Sequence, residues 1–378
     1  MERKTDMKKN KITQSTAIIL SALLLCGALT ACGSSDGGTA ENAPAVQTTT
    51  SPAALAGDAP AADPGAPESA SDETPQSGSQ SDTVSFDETT GILTISGAVT
   101  KADLDPYASQ DYVTAIIALE GTVLPENCNK LFEDMYVQSI DISKADASAV
   151  TDMSYMFYGS DAEEILLGTP DSSHVTTMSN MFSYCRKLQS LDLSTLKTDS
   201  VEDLSYMFNN CWAMTSLNLT GFACPNAKNL SCMFDDCGKL ESIDLSDMDA
   251  TNFSDLSMMF EDCYSLKEID LSSWHTEHLF TLFEMFKFCT SLEKADLSGL
   301  NTEKVHTMAE MFEGCESLKQ IVVSDQWKTY EARFSDDVFR GCVSLVGENG
   351  TKYDEANIDI EYARIDTPDT PGYLTAAG

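Results

Sequence analysis

The chain has 378 residues, and 23 Lys plus Arg against 60 Asp plus Glu leave a formal net charge of −37. Such a surface excludes nucleic acid and anionic membrane as main partners, because both would be repelled as they approached. It suits a soluble, elongated molecule and attracts cations or basic partners.

Residues 1–31 read as an export signal rather than as part of a fold. Arg3, Lys4, Lys8, Lys9 and Lys11 form a basic start, and Ala17 to Leu25 an apolar stretch too short to span a bilayer. Leu29-Thr30-Ala31-Cys32 supplies small residues for cleavage and resembles a bacterial lipobox. That resemblance implies acylation of Cys32 and attachment to the membrane through the N-terminal lipid.

Residues 32–82 are rich in Ala, Pro, Ser, Gly and Thr; from Gly33 to Asp82 there are eight acidic residues and no Lys or Arg. A segment this poor in apolar side chains cannot offset its ordering entropy, so it is expected to be a disordered tether reaching about 40 Å. An N-terminal cap is expected over 83–127. Val84 to Val99 alternates like a β-hairpin around Thr89-Thr90-Gly91, and Val113 to Leu119 reads as a further strand.

From 128 to 345 the sequence repeats. Met181-Phe182, Met207-Phe208, Met233-Phe234, Met259-Phe260, Met285-Phe286 and Met311-Phe312 follow at steps of 26 residues, each with Cys three residues after Phe. A fixed period of this size implies stacked units, none able to bury its apolar face alone. Val201, Leu204, Met207, Phe208 and Cys211 fall at the spacing of a short helix's apolar stripe. Leu191 and Leu193, Leu217 and Leu219, Ile243 and Leu245, Ile269 and Leu271, and Ala295 and Leu297 alternate as short strands. The expected fold is therefore an α/β solenoid: a right-handed stack of strand-plus-helix repeats, one continuous parallel sheet, and a C-terminal cap over 346–378. In that cap, Ile358, Ile360 and Tyr362 alternate as one more strand.

The Leu-x-x-Leu-x-Leu pattern at Leu188, Leu191 and Leu193 is similar to a leucine-rich repeat. Together with Met-Phe-x-x-Cys, the Leu191 to Ser194 strand and Thr198, Thr276 and Thr302, it resembles bacterial BspA-type leucine-rich-repeat surface proteins. It resembles their Met-Phe version, long labelled a domain of unknown function. The column where an ordinary leucine-rich repeat turns on Asn is apolar here, at Leu196, Phe222, Met248, Trp274 and Leu300. The resemblance implies a surface protein with an adhesive role.

Candidate chemistry lies outside the apolar columns. Asp192, Asn218, Asp244, Asp270 and Asp296 are expected to form an outward column flanked by Ser and Thr. Carboxylates about 4.8 Å apart repel by roughly 3 to 4 kcal/mol at a dielectric near 20, so they need hydroxyl donors, raised pKa values, splayed rotamers or a weakly held Ca²⁺. A solvated polar face and a weak cation or basic-ligand groove are both open. Tyr206, Trp212 and Tyr264 are candidate interface anchors. The cysteine column is expected to be buried free thiols, with Cys224 and Cys232 as the one pair able to bridge. His174, His275, His278 and His306 fit no catalytic or metal-ligand pattern, so no catalytic residue, metal site or cofactor is expected, nor an enzyme. The expected partner is a macromolecular surface ligand, protein or glycan. The alternative is a structural or self-associating surface protein.

Overall fold

The computed structural model describes residues 82–378; the signal segment, Cys32 and nearly all of the tether lie outside the described residues. The described residues form a β-solenoid in which the chain lays one rung on the next. Its first sheet has the order β1 (Val84–Asp87), β2 (Ile92–Ile95), β3 (Ala115–Ala118), β4 (Ser139–Asp141), β5 (Glu164–Leu166). The expected hairpin is β1 antiparallel to β2, with Val84 opposite Ile95; β2, β3, β4 and β5 then pair in parallel. A single turn of helix, α1 (Lys101–Leu104), leads on from Thr100, whose N–H and hydroxyl both donate to the Asp103 carboxylate.

The strand half of the repeat is as expected in direction and facing. Strands β6 (Ser190–Asp192) and β7 (Ser216–Asn218) pair in parallel with Leu191 beside Leu217. Strands β8 (Glu268–Asp270), β9 (Lys294–Asp296) and β10 (Gln320–Val323) continue the pattern with Ile269, Ala295 and Ile321 in line. The sheet is not continuous, however. The described strands fall into groups of five, two and four, and no strand forms around Ile243, which is only half-buried.

The expected helix is absent, and hydrogen bonding explains why. Met181, Ser183 and Cys185 donate their N–H groups three residues back, to Met178, Asn180 and Phe182. The residues between them, Asn180, Phe182 and Tyr184, donate instead to Ser205, Met207 and Asn209 of the next rung. Half of the amides thus close tight turns and half stitch rung to rung, which no α-helix permits. The alternation requires left-handed residues four apart, Asn180 (φ 57°) and Tyr184 (φ 62°) here and Tyr206 (φ 59°) and Asn210 (φ 59°) one rung on. The apolar stripe marks the buried side chains correctly, since Val201, Leu204, Met207, Phe208 and Cys211 are all buried, but the backbone is a string of turns.

Two kinds of stacking fill the interior. Phe132, Phe157, Phe182, Phe208, Phe234, Phe260, Phe286, Phe312 and Phe339 lie ring over ring, with centroids 5.3 to 6.1 Å apart and nearly parallel planes. Leu196, Phe222, Met248, Trp274 and Leu300 are all buried in the column where Asn would turn an ordinary leucine-rich repeat. A separate parallel ladder runs through Asn127, Asp152, Thr177, Asp203, Asn229, Asp255, Thr281, Thr307 and Phe334. From Asn127 to Thr307 its side chains close a turn in each rung, as where Asp203 accepts the Ser205 N–H at 3.0 Å.

The C-terminal cap differs from the expected strand. Ile360–Tyr362 is a 3-10 turn, and the closing strand is β11 (Thr375–Ala376), parallel to β10. Tyr373 decides this: its fully buried ring packs edge-on against Phe339, 5.2 Å away, and lies 5.0 Å from Tyr362. Burying that ring under the last phenylalanine outweighs the period-two pattern of the preceding segment. Buried Asp366 pins the cap by accepting from the Thr351 hydroxyl at 2.7 Å and from the N–H groups of Asn349, Thr351 and Gly372. No described helix is long and apolar enough to cross a membrane.

Candidate functional site

Asp192, Asn218, Asp244 and Asp270 stand exposed in one column along the strands, with Asp296 half-buried below them. Each closes its own turn: Asp192, Asp244, Asp270 and Asp296 accept the N–H of Ser194, Ser246, Ser272 and Ser298 at 2.9 to 3.2 Å, and Asn218 accepts that of Thr220. Between rungs, the Asn218 amide donates to Asp192 at 2.9 Å. The repulsion expected from the spacing is outweighed. The hydroxyl and N–H of Ser194, Ser246 and Ser272 hold Asp192, Asp244 and Asp270 below the ordinary carboxylate range, and for Asp270 the neighbouring Asp244 is the weakest influence. With one oxygen of each already turned inward to a backbone donor, the column presents a polar ladder rather than converging ligands. Thermal melts with and without millimolar Ca²⁺ should therefore superimpose to within about 1 °C; a rise of several degrees would establish a cation groove along this face.

The aromatic candidates do not form one patch. Trp212 and Tyr264 belong to the column that follows the cysteines, and they meet across a rung at 6.1 Å, edge to face. The intervening residue is Gly238, where a Cβ would lie 2.2 Å from the Trp212 ring. Trp212 thus folds over a glycine to reach Tyr264 while staying 44 % exposed. Tyr206 lies in the other half of the rung, where the nearby Cys232 and burial push its phenol upward.

Traced toward the N-terminus, the Trp212 column continues through Arg186, Asp161 and Tyr136. Tyr136, Tyr158 and Tyr184 there border a groove of about 310 Å³ together with Asp134, Gly159, Asp161 and Arg186. Tyr136 and Tyr158 stand in rungs that lack the full Met-Phe-x-x-Cys signature, whereas Tyr184 stands inside one, directly before Cys185. The sequence signal for Tyr136 is its offset from Phe, since Tyr136, Asp161, Arg186 and Trp212 each stand four residues after the rung's phenylalanine; Tyr158 and Tyr184, one and two residues after theirs, carry no such signal.

A family profile described as "Mycoplasma protein of unknown function, DUF285" matches residues 126–243 and again 228–353, together more than half of the chain. The chain belongs to this family. No curated protein matches it. Similar solved structures include a leucine-rich repeat protein from Eubacterium ventriosum, at 16 % identity over 70 % of this chain and 82 % of that one, TM-score 0.29. Another from Bacteroides ovatus has 17 % identity over 78 % and 98 %, TM-score 0.22. A leucine rich cell surface protein from Faecalibacterium prausnitzii has 15 % identity over 73 % and 94 %, TM-score 0.24.

In the DUF285 rungs the cysteines are structural. Cys185, Cys211, Cys237, Cys263, Cys289, Cys315 and Cys342 are fully buried, and each thiol donates to the carbonyl of the phenylalanine one rung earlier, at 3.0 to 3.2 Å. Burial pushes these thiols up, away from the reactive thiolate. Cys224 and Cys232 are free as well. In the native protein the ten described thiols should resist alkylation by iodoacetamide, and denaturant without reductant should expose them all. Intact mass reads both; alkylation that required reductant would reveal disulfides.

Beside the phenylalanines the DUF285 chain carries a polar column, Asn209, Asp235, Glu261, Lys287, Glu313 and Arg340, one residue after each ring. Lys287 is buried among Glu284, Glu310 and Glu313, the last at 3.3 Å. Burial, then the like charges of Asp262 and Asp236, push Asp235 up to about 8, although the Asn209 amide donates to it at 2.7 Å. Burial and Glu284 push Glu261 upward too. Among the described residues, no group of three or more His, Cys, Asp or Glu is arranged to hold a metal ion.

Proposed function

We propose that this chain is an exported, lipid-anchored scaffold displayed at the cell surface, which binds a protein or glycan partner along the flank of its solenoid. Supporting the anchor is the sequence of residues 1–32, with its basic start, apolar stretch and Ala31-Cys32. The observation that carries the binding reading is the aromatic and charged column Tyr136, Asp161, Arg186, Trp212, Gly238, Tyr264. It places amphipathic rings along one side of a rigid stack whose interior is otherwise committed to packing. The scaffold has no catalytic role in this reading; its turns and ladders hold a surface in register.

The test uses the intact chain. Retention on host matrix proteins or on intact cells, weakened by Trp212→Ala, supports the reading. Concentration-dependent oligomers in sedimentation, with no such retention, would replace it with a self-associating surface protein. For the anchor, globomycin should block processing, and Cys32→Ala should release the protein from the membrane fraction.

A further inference from the structure

Two glycines lie along this flank, Gly238 four residues after its rung's phenylalanine and Gly159 two residues after its own, and each is covered by a side chain of the preceding rung. At Gly238 the dip is filled by the Trp212 ring. At Gly159 a carboxylate rather than a ring fills it: the glycine lies between Asp134 and Tyr184 on adjacent rungs, at the left-handed position where Asp134 has φ 54°, Gly159 φ 67° and Tyr184 φ 62°. The dip opens into the 310 Å³ groove bordered by Tyr136, Tyr158, Tyr184, Asp134, Asp161 and Arg186. A Cβ on Gly159 would lie 2.3 Å from an Asp134 carboxylate oxygen, so the glycine is what lets that acceptor lean across the floor.

The ring faces are arranged rather than scattered. Tyr158 lies 5.5 Å from Tyr155 and 5.4 Å from Tyr184, each pair tilted by 51°, while Tyr136 is 47 % exposed at the far side. Arg186 already covers the Tyr184 ring, with its guanidinium 5.2 Å from the centroid, and Lys187 pairs with Asp161 at 2.8 Å. The groove therefore offers apolar ring faces, carboxylate acceptors and a guanidinium donor at near-balanced local charge.

Resting on the scaffold reading above, we propose that this groove is a subsite for a neutral sugar ring of a glycan. A pyranose has an apolar C–H face to lie on tyrosine and hydroxyls that both donate to Asp134 and Asp161 and accept from Arg186. The volume suits a ligand of one or two rings, at the small end of ligand pockets. A basic peptide fits less well, because Arg186 holds one ring face and Lys187 one carboxylate. Sialylated or sulfated sugars meet a chain of net charge −37.

Saturation-transfer NMR on the intact chain with the methyl glycosides of glucose, galactose, mannose and N-acetylglucosamine tests this, each at about 10 mM because single sugars bind weakly. Transfer to at least one of them is expected. It should fall about tenfold in affinity in Tyr136→Ala and Tyr158→Ala and stay within about threefold in Tyr158→Phe, which keeps the ring face. Circular-dichroism melts confirm that each variant folds, and Tyr136→Ala, at an exposed position, guards against loss of fold. No transfer from any of the four, transfer unchanged in the Ala variants, or binding only of an Arg-containing peptide would each overturn the glycan subsite. None of these would remove the scaffold reading, which falls if the intact chain fails to bind matrix and cells.

Discussion

Replacing Phe234 by Ala is expected to destabilise the solenoid by about 3–5 kcal/mol, the range for emptying a fully buried aromatic position. Phe234 is sandwiched between Phe208 at 5.6 Å and Phe260 at 5.4 Å, and its carbonyl accepts the Cys263 thiol at 3.1 Å. The cavity would face a ring on each side, and neither can collapse into it without breaking the cross-rung bonds that Phe208 and Phe234 donate to Met233 and Met259. In a stack held by nearest-neighbour interfaces, such a lesion also uncouples the two ends. A melt or urea titration of Phe234→Ala should therefore show a lower midpoint and a broader or two-step transition. Phe132→Ala, at the N-terminal end of the ring column, should give a smaller loss and leave one main transition. Equal losses at both positions with a single sharp transition would mean that the ring column is not what couples the rungs.

Stability is expected to fall as pH rises from about 4 to about 8. Asp235 has its ordinary carboxylate value of 3.8 in the unfolded chain and about 8 in the native one. Between those values the native state holds a proton that the unfolded state has released, so raising the pH pulls the equilibrium toward unfolding. Below the unfolded value both states are protonated and the penalty vanishes; above the native value it is fully present. Glu261, displaced upward by burial and by Glu284, adds a contribution of the same sign. Asp235→Asn removes the titration while keeping the shape, so its stability advantage over wild type should be smallest below pH about 4, grow as pH rises, and reach a few kcal/mol above pH about 8. Overall self-repulsion of the acidic chain has the same sign in both proteins, so the difference between them isolates the Asp235 carboxyl. Parallel pH profiles for wild type and variant would show that Asp235 is ionised in the fold throughout.

The 26-residue period was legible from the sequence because every rung must bury the same apolar positions against its neighbours. Leu191, Leu193, Met207, Phe208 and Cys211 are buried as their spacing requires. The apolar spacing could not reveal the backbone of the Met-Phe half. A stripe at i, i+3, i+6 and i+7 is equally well buried by a helix and by turns bonded to the next rung. A finer signal was present: two residues after phenylalanine stand Asp134, Gly159, Asn210, Asp236, Asp262, Gly314 and Gly341, the residue types that best tolerate positive φ. Tyr184 and Phe288 occupy that column at φ 62° and 58°, which masks the pattern and costs about 1–2 kcal/mol each, offset by the cross-rung bonds.

Of the candidate surface, the Asp and Ser column could be located from the period-two strands, but its electrostatics could not. The sequence gives the spacing of Asp244 and Asp270, whereas only the fold turns each carboxylate onto the serine N–H two residues on and makes their mutual repulsion a minor influence. The sequence by itself determined which residues are interior, how many steps the stack takes, and that the chain is strongly acidic, because apolar burial and formal charge are properties of residue type and order. Tertiary structure decided the turn backbone, the Tyr373 cap, the burial of Lys287 and partial burial of Asp235, and the groove over Gly159. Each of these depends on what the adjacent rung places beside a residue, at a distance of about 26 positions along the chain.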